Sequence, residues 1–403
     1  MPAAAQEEVQ AQSVRDRVHP EFQPQPIRAG SFELRPSITA GAEYNDNIYA
    51  REDFEEDDVI LRVSPQLKVS RDYGLLDIDF DLASEHQRYL QNENEDSDDY
   101  RGSARITYGE GTDTRLSAMV SYRDQSEDRS RIDAISDVSV RGRFSDLEAA
   151  LSARQRFGSL TAEVTGRYRD RDYDNVTDTS GVVHDYSFRD FKSYAAEGTI
   201  GYSRSGSSRL FVAGRYLRKE YDLRAGDPAF DPAIRFDRSA KSYRIEAGYS
   251  RQISALLFFS AQAGYLRYDL DDPRLPTVSG FAFDTRLLWN ATPLTTVEIA
   301  ARRAIDETAS PDFAGVRRTE FAARLDHEIL RNLIFSVDGR YSDLSPIGIS
   351  ANTDEFDFGL RAEYKLSRRF SFLGYARHRE RDSDSPTLDF SGNVVGASIR
   401  YGF

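Results

Sequence analysis

Residues 354–366 read DEFDFGLRAEYKL, in which Phe356, Phe358, Leu360, Ala362, Tyr364 and Leu366 alternate with Glu355, Asp357, Gly359, Arg361, Glu363 and Lys365. A period of two held over this length sends successive side chains to opposite faces of a strand and fits no face of a helix. Residues 256–265 (LLFFSAQAGY) repeat it, with Leu257, Phe259, Ala261, Ala263 and Tyr265 on one parity and Ser260, Gln262 and Gly264 on the other. The alternation recurs near 37–48, 59–70, 75–90, 99–109, 114–123, 146–157, 160–170, 193–203, 209–219, 242–251, 256–268, 280–290, 294–304, 317–329, 333–343, 354–366, 369–379 and 391–403. Eighteen strands over residues 33–403 leave about 21 residues for each strand and its connection, the even spacing of an antiparallel meander.

The connections alternate in length. RDYG (71–74), FGS (157–159), ISA (253–255), RN (331–332) and SR (367–368) are short, whereas 124–143, 171–186, 222–236 and 305–316 are long and polar. Short turns at one end and long loops at the other predict an all-β fold: a transmembrane, antiparallel, up-and-down barrel of about eighteen strands, or sixteen if two are misread. Its short turns would be periplasmic and its long loops extracellular, and an even strand number returns both termini to the periplasmic side. The domains expected are an N-terminal periplasmic tail at 1–32 and the barrel at 33–403.

Composition agrees by exclusion. The chain has 403 residues, no cysteine, 22 Tyr and 24 Phe, and a formal net charge of −14. No apolar run approaches the ~20 residues of a spanning helix. The aromatics argue against a disordered chain, and the acidic excess against a nucleic-acid partner. A soluble sandwich is disfavoured because the polar parity is dense in Arg with Asp/Glu rather than Thr, Ser and Lys. In addition, Tyr44, Tyr100, Tyr108, Tyr122, Tyr168, Tyr202, Tyr249, Trp289, Tyr341 and Tyr364 gather near strand ends, as in the aromatic girdles of a membrane barrel. The last strand, VVGASIRYGF, carries Ile399, Tyr401 and Phe403 on its apolar face, which resembles the signal such barrels present to their assembly machinery.

Residues 1–32 carry no strand pattern. MPAAAQEE lacks the basic and apolar regions of an intact signal peptide, and AAAQ reads as the remnant of a cleavage site. The stretch that follows, with Pro20, Pro24 and Pro26, is expected to be extended. From here to about residue 75 the chain resembles the putative β-barrel porin 2 family, whose lead-in "RPEYDP–GIRLGSF–P" precedes a first strand ending "EYDDNVFA". The matching residues are Pro20, Glu21, Phe22, Pro24, Ile27, Arg28, Gly30, Ser31, Phe32, Pro36, Tyr44, Asn45, Asp46, Asn47, Ile48 and Ala50; His19 and Gln25 depart from the pattern. The resemblance implies an outer-membrane location. Because some members are encoded with exopolysaccharide or capsule export genes, it also implies periplasmic export components as partners, for which residues 1–32 are the docking candidate.

Placing the polar parity inward gives a charge-lined lumen. Its candidate lining residues are Arg62, Asp77, Asp79, Asp81, Arg105, Arg167, Arg244, Glu246, Arg286, Arg324, Asp338, Arg340, Asp357, Arg361 and Glu363. The run Asp77, Asp79, Asp81 is expected to pair with Arg62 and Lys68 on one side and Arg101 and Arg105 on the other. Such a wall can be a structural ladder of ion pairs, each worth about 0–1 kcal/mol when wet, or a transverse field that orients solutes. REDFEEDD (51–58), NENEDSDD (92–99), RDRDYDN (169–175) and RERDSDS (379–385) read as acidic loops. These loops are solvated or, less simply, bridge through divalent cations to lipopolysaccharide; outer-membrane lipid and lipopolysaccharide are the surroundings expected.

The five scattered histidines offer no metal or nucleophile spacing, so neither an enzyme nor a cofactor is expected. The leading reading is a porin-like channel for hydrophilic solutes. The alternatives are an exopolysaccharide export port and a plugged structural or partner-docking barrel. A sugar path needs inward aromatics, and the alternation offers few: Phe211, Phe258 and Tyr268.

Overall fold

The computed structural model describes residues 12–132, 141–178, 180–233, 235–306, 315–347, 352–385 and 388–403. Eighteen long strands follow one another: β1 Phe32–Asn45, β2 Asp58–Tyr73, β3 Leu76–Tyr89, β4 Ser97–Tyr108, β5 Thr114–Ser126, β6 Arg143–Phe157, β7 Leu160–Tyr173, β8 Phe191–Ser205 and β9 Ser208–Tyr221. The second half comprises β10 Ala240–Ser254, β11 Leu257–Leu270, β12 Val278–Thr292, β13 Thr295–Asp306, β14 Val316–Leu330, β15 Leu333–Pro346, β16 Thr353–Lys365, β17 Phe370–Ser383 and β18 Phe390–Gly402. Each pairs antiparallel with the next, and β18 returns to β1 through Ser37–Asn45 against Val394–Gly402, so the sheet is a closed barrel.

Closure follows from the faces. On the apolar parity Leu151 is 69% exposed and Ile200 and Ile245 65% each, with Leu61, Val120, Leu210, Phe281 and Ile299 also exposed. An apolar belt this extensive is stable only against lipid. In lipid an open sheet edge would leave backbone groups without partners, so closure is obligatory. Buried apolar side chains form only small clusters at the long-loop end: Phe144, Tyr173, Val176 and Tyr186; Ile132, Val316 and Leu344; Ile48, Ile60 and Tyr89. They fasten loops to the rim, and no apolar core fills the barrel among the described residues.

The eighteen expected strands are all present. Most run two to four residues further toward the long loops than alternation suggested, and the first begins at Phe32 instead of 37. The apolar pattern fades there while backbone pairing continues through charged residues. The acidic-loop reading of 169–175 and 379–385 is corrected on this ground: Arg169–Tyr173 lies in β7 and Arg379–Ser383 in β17.

At the other end several turns have two residues. In one of these, Gly158 takes φ +62°, a left-handed backbone that glycine adopts without strain. The lead-in is not simply extended either. Pro20–Phe22 is a 3-10 turn and Ile27–Ala29 pairs with Phe32–Leu34.

The closing seam depends on a close approach. A Cβ on Gly41 of β1 would meet the Ala397 carbonyl oxygen at 2.5 Å and Ser398 Cβ at 2.6 Å on β18. Gly41→Val is therefore expected to destabilise the barrel by about 1–3 kcal/mol, the range for overpacking. Denaturant unfolding of the refolded protein in lipid vesicles checks this; an unchanged midpoint would show that the seam tolerates the added volume.

Candidate functional site

Pairs of oppositely charged side chains, three and more strands deep, decorate the face opposite the apolar belt. Arg62 bridges Glu43 at 2.5 Å and Glu85 at 3.0 Å, joining β1, β2 and β3. Arg244 meets Glu246 at 2.5 Å, Arg286 meets Glu298 at 2.7 Å, Arg361 meets Glu363 at 3.2 Å and Arg167 meets Glu148 at 3.4 Å. The expected pairing of the Asp77–Asp81 run is largely corrected. Asp81 reaches Lys68 at 3.7 Å, but Arg62 is taken by the two glutamates, and Arg105, opposite Asp79 in register, turns to Met119 Sδ at 3.3 Å. No ion pair joins Asp77 or Asp79 to a base among the described residues. Arg324 and Asp338 are register partners on β14 and β15.

The expected residues are thus spread along the wall; Arg340 and Asp357 meet at a cavity. That cavity, of about 740 Å³, is lined by β7 (Arg169, Arg171), by β13–β17 (including Arg318, Arg340, Glu355, Asp357, Arg377 and Arg379) and by Asp128–Ile132. Strands that are not neighbours in the sheet can share a cavity only across the barrel interior. The polar parity therefore faces inward.

The segment after β5 folds into that interior. Its anchors are charged: Arg189 donates to both carboxylate oxygens of Glu127, and Arg129 meets Glu95 at 2.6 Å, all four side chains being buried. On the far wall Arg379 donates to Ser130 Oγ at 2.8 Å, Arg381 donates to the Ser130 carbonyl, and Ile132 packs on Val316 and Leu344. The loop crosses from β5 to β14–β17 at the long-loop end. Sequence reading missed it, together with Arg169, Arg171, Asp146, Glu355, Arg377 and Arg381. An apolar Ile132 inside an otherwise charged connection is the signal that could have marked it.

Carboxylates on this wall are shared. Asp146, fully buried, accepts from Arg123 at 2.6 Å, Arg169 at 2.7 Å and Arg171 at 3.0 Å. Glu355 serves Arg318 and Arg381, and Asp357 serves Arg377 and Arg379. Further out, beyond β11, Arg274 holds the Asp272 carboxylate down to a pKa of about 2, and Asp272 also accepts from the Asp237 backbone. This ties two loops together.

The opposite mouth is occupied by the chain's own lead-in. Val14 is completely buried; its N–H donates to Thr296 Oγ1 at 2.9 Å, and Thr296 donates to Asn290 Oδ1 at 2.6 Å. Asn290 in turn donates to the Gln12 carbonyl at 3.3 Å, while His19 lies 3.7 Å from Glu328. These partners lie on the inward parity of β12–β14, so residues 12–19 sit inside the short-turn end.

The inward aromatics are more numerous than the three expected. Tyr89, Phe144, Tyr173, Phe191, Tyr221, Tyr375 and Phe390 join Phe211, Phe258 and Tyr268 on the inner parity. All of the added ones but Tyr375 sit near the long-loop ends among charges, where alternation of apolar and polar residues hides them. Most are buried against cations: Lys219 Nζ stands 3.8 Å from the Phe191 ring and Arg189 3.9 Å from that of Tyr173. Their faces are spent on the wall, and among the described residues they offer no continuous stacking path. At the other end of the chain Tyr401 and Phe403 point outward, their rings 4.8 Å apart.

A closed lipid-belted barrel with a polar interior defines an outer-membrane β-barrel of the porin type. The match to a family model settles the family: this chain belongs to the putative β-barrel porin 2 family, over residues 19–403. No curated protein sequence matches it. Among solved structures, OccK2 (OpdF) of Pseudomonas aeruginosa is similar with a TM-score of 0.50 at 11% identity, covering 92% of this chain and 98% of that one. OpdQ of the same organism gives 0.50 at 12% identity (96% and 100%), and the siderophore receptor PirA of Acinetobacter baumannii 0.50 at 6% (92% and 80%). At such identities the likeness is one of fold.

Removing Asp146 leaves three guanidiniums on one wall without their common carboxylate. Asp146→Ala is expected to cost about 3–5 kcal/mol, the scale for breaking a buried pair. Urea unfolding in vesicles measures it; a loss below about 1 kcal/mol would show that the cluster is solvated.

Proposed function

We propose that this protein is a channel passing hydrophilic solutes across the outer membrane, with the charged inner parity as its lumen. The observation that carries this reading is the polar cavity between the Asp128–Ile132 segment and the β13–β17 wall. It is water-compatible space inside a lipid-belted barrel, bounded on one side by the Asp128–Ile132 segment. In this reading the short turns and both termini face the periplasm, and the long loops face outward into lipopolysaccharide. The outward Ile399, Tyr401 and Phe403 are the strand the assembly machinery recognises. The wall residues Arg62, Arg244, Glu246, Arg286, Arg340, Asp357, Arg361 and Glu363 line the path. Ion pairs hold them in fixed positions and no covalent chemistry is required. The lead-in at 12–19 partly occludes the periplasmic mouth, since Val14 and His19 are buried against β12–β14.

Single-channel recording in planar bilayers tests this. The full chain is expected to give steady openings proportional to salt concentration, and a form lacking residues 1–23 to give larger ones. Heat-modifiable gel mobility confirms that both forms are folded barrels. Silence from both folded forms would overturn the channel reading. Equal conductance in the two would keep the channel and remove the lead-in as a constriction.

A further inference from the structure

The cavity carries a charge pattern that goes beyond a generic polar lumen. Among the described residues, seven arginines and four acidic residues line it, in a chain whose formal net charge is −14. The local excess is therefore opposite in sign to the whole. The sharing of carboxylates is the structural cause. Asp146 serves three guanidiniums, Asp357 two (Arg377 at 2.7 Å and Arg379 at 3.6 Å), and Glu320 two (Arg302 at 3.3 Å and Arg340 at 3.9 Å). The guanidiniums of Arg340 and Arg377 each offer five N–H donors in a planar fork, and a single shared carboxylate cannot use them all.

Two facing groups result. Arg169 and Arg171 stand on one wall; Arg318, Arg340, Arg377 and Arg379 stand on the other, with the Asp128–Ile132 segment alongside. Arg340 is the least committed of these, with its side chain 48% exposed and Glu320 its distant partner. About 740 Å³ between them is the size of a small-molecule site. Forked donors on opposite walls suit planar or tetrahedral oxyanions, which accept two parallel hydrogen bonds from one guanidinium.

We propose that this cavity is a binding site for small solutes bearing at least two negative charges as carboxylate or phosphate oxygens. The inference rests on the channel reading for its purpose, although the site itself is a property of the folded barrel. Its charge excess would draw such anions into the lumen past the acidic exterior, and dilute salt would strengthen the attraction.

Isothermal titration of the detergent-solubilised full chain at low salt, with succinate and separately with inorganic phosphate, tests it. Saturable binding of at least one probe is expected, and choline, a cation of similar size, is expected not to bind. Preference for succinate identifies a carboxylate site, and preference for phosphate a phosphoryl site; either supports the proposal. Arg340→Gln combined with Arg377→Gln is expected to weaken binding at least ten-fold. Arg340→Gln alone, at a half-exposed side chain, is expected to weaken it about three-fold without disturbing the fold, and Arg340→Lys less than that. Folding is verified by gel mobility.

A folded barrel that conducts but binds neither probe, or whose variants bind as well as the parent, would overturn the site and leave the channel reading standing. Saturable, variant-sensitive binding in a barrel that never conducts would do the opposite.

Discussion

Everything in this molecule depends on the closing contact between β1 and β18. A sheet whose outer face is apolar must lie in lipid, and a sheet in lipid has no water to satisfy an unpaired edge. The two terminal strands therefore have to meet, and Gly41 lets them do so by leaving room for the Ala397 carbonyl. Once the sheet closes, the two parities of every strand acquire opposite duties. One faces acyl chains, and the other encloses a space too wide for side chains to fill with apolar matter. The small buried clusters at the rim follow from this: apolar packing is left only the job of fixing loops.

The inner wall is consequently an electrostatic structure. Isolated wet ion pairs contribute little, but here carboxylates such as Asp146 and Asp357 are centres for several guanidiniums, and neighbouring strands are tied through them. The inserted segment uses the same device. Glu127 with Arg189, and Glu95 with Arg129, are buried pairs at its root, and Arg379 and Arg381 receive its tip. Breaking either buried pair would strand a charge away from water, so the loop is held in place by the cost of removing it rather than by apolar burial.

How much of this was legible in the sequence depended on which physical signal each part obeys. Leu360 and Ile399 sit in unbroken alternation because lipid selects every second residue, so strand number, order and facing could be read directly. RDRDY and RERDS also alternate, with Arg169, Arg171, Arg379 and Arg381 inward and Asp170, Asp172, Glu380 and Asp382 outward. Both parities there are charged, and a hydropathy reading takes them for loop. The partners of Asp77–Asp81 were misread for a different reason. Register alone places Arg105 beside Asp79, but long side chains choose among several neighbours, and Arg62 gains two glutamates by turning away. The inward fold of Asp128–Ile132 is a contact between residues some 250 positions apart, as Arg379 to Ser130 shows, and no local pattern encodes it.

At both ends of the barrel a segment of the chain itself is held against the inner wall, in two different ways. At the short-turn end Val14 is held by a neutral relay through Thr296 and Asn290, and beside it Arg17 donates to the Pro293 carbonyl, His19 lies near Glu328 and Glu21 pairs with Arg331. At the long-loop end several charged anchors fix the inserted segment, two of them buried. The hydrogen bonds of the Val14 relay are neutral and exchange for water at modest cost; the pairs Glu127–Arg189 and Glu95–Arg129 do not, because their charges are desolvated. The arginine-rich cavity lies beside the Asp128–Ile132 segment, at the end where the buried pairs are. A site that must hold forked donors in fixed orientation needs that rigidity, since geometry and charge together, more than charge alone, distinguish one anion from another.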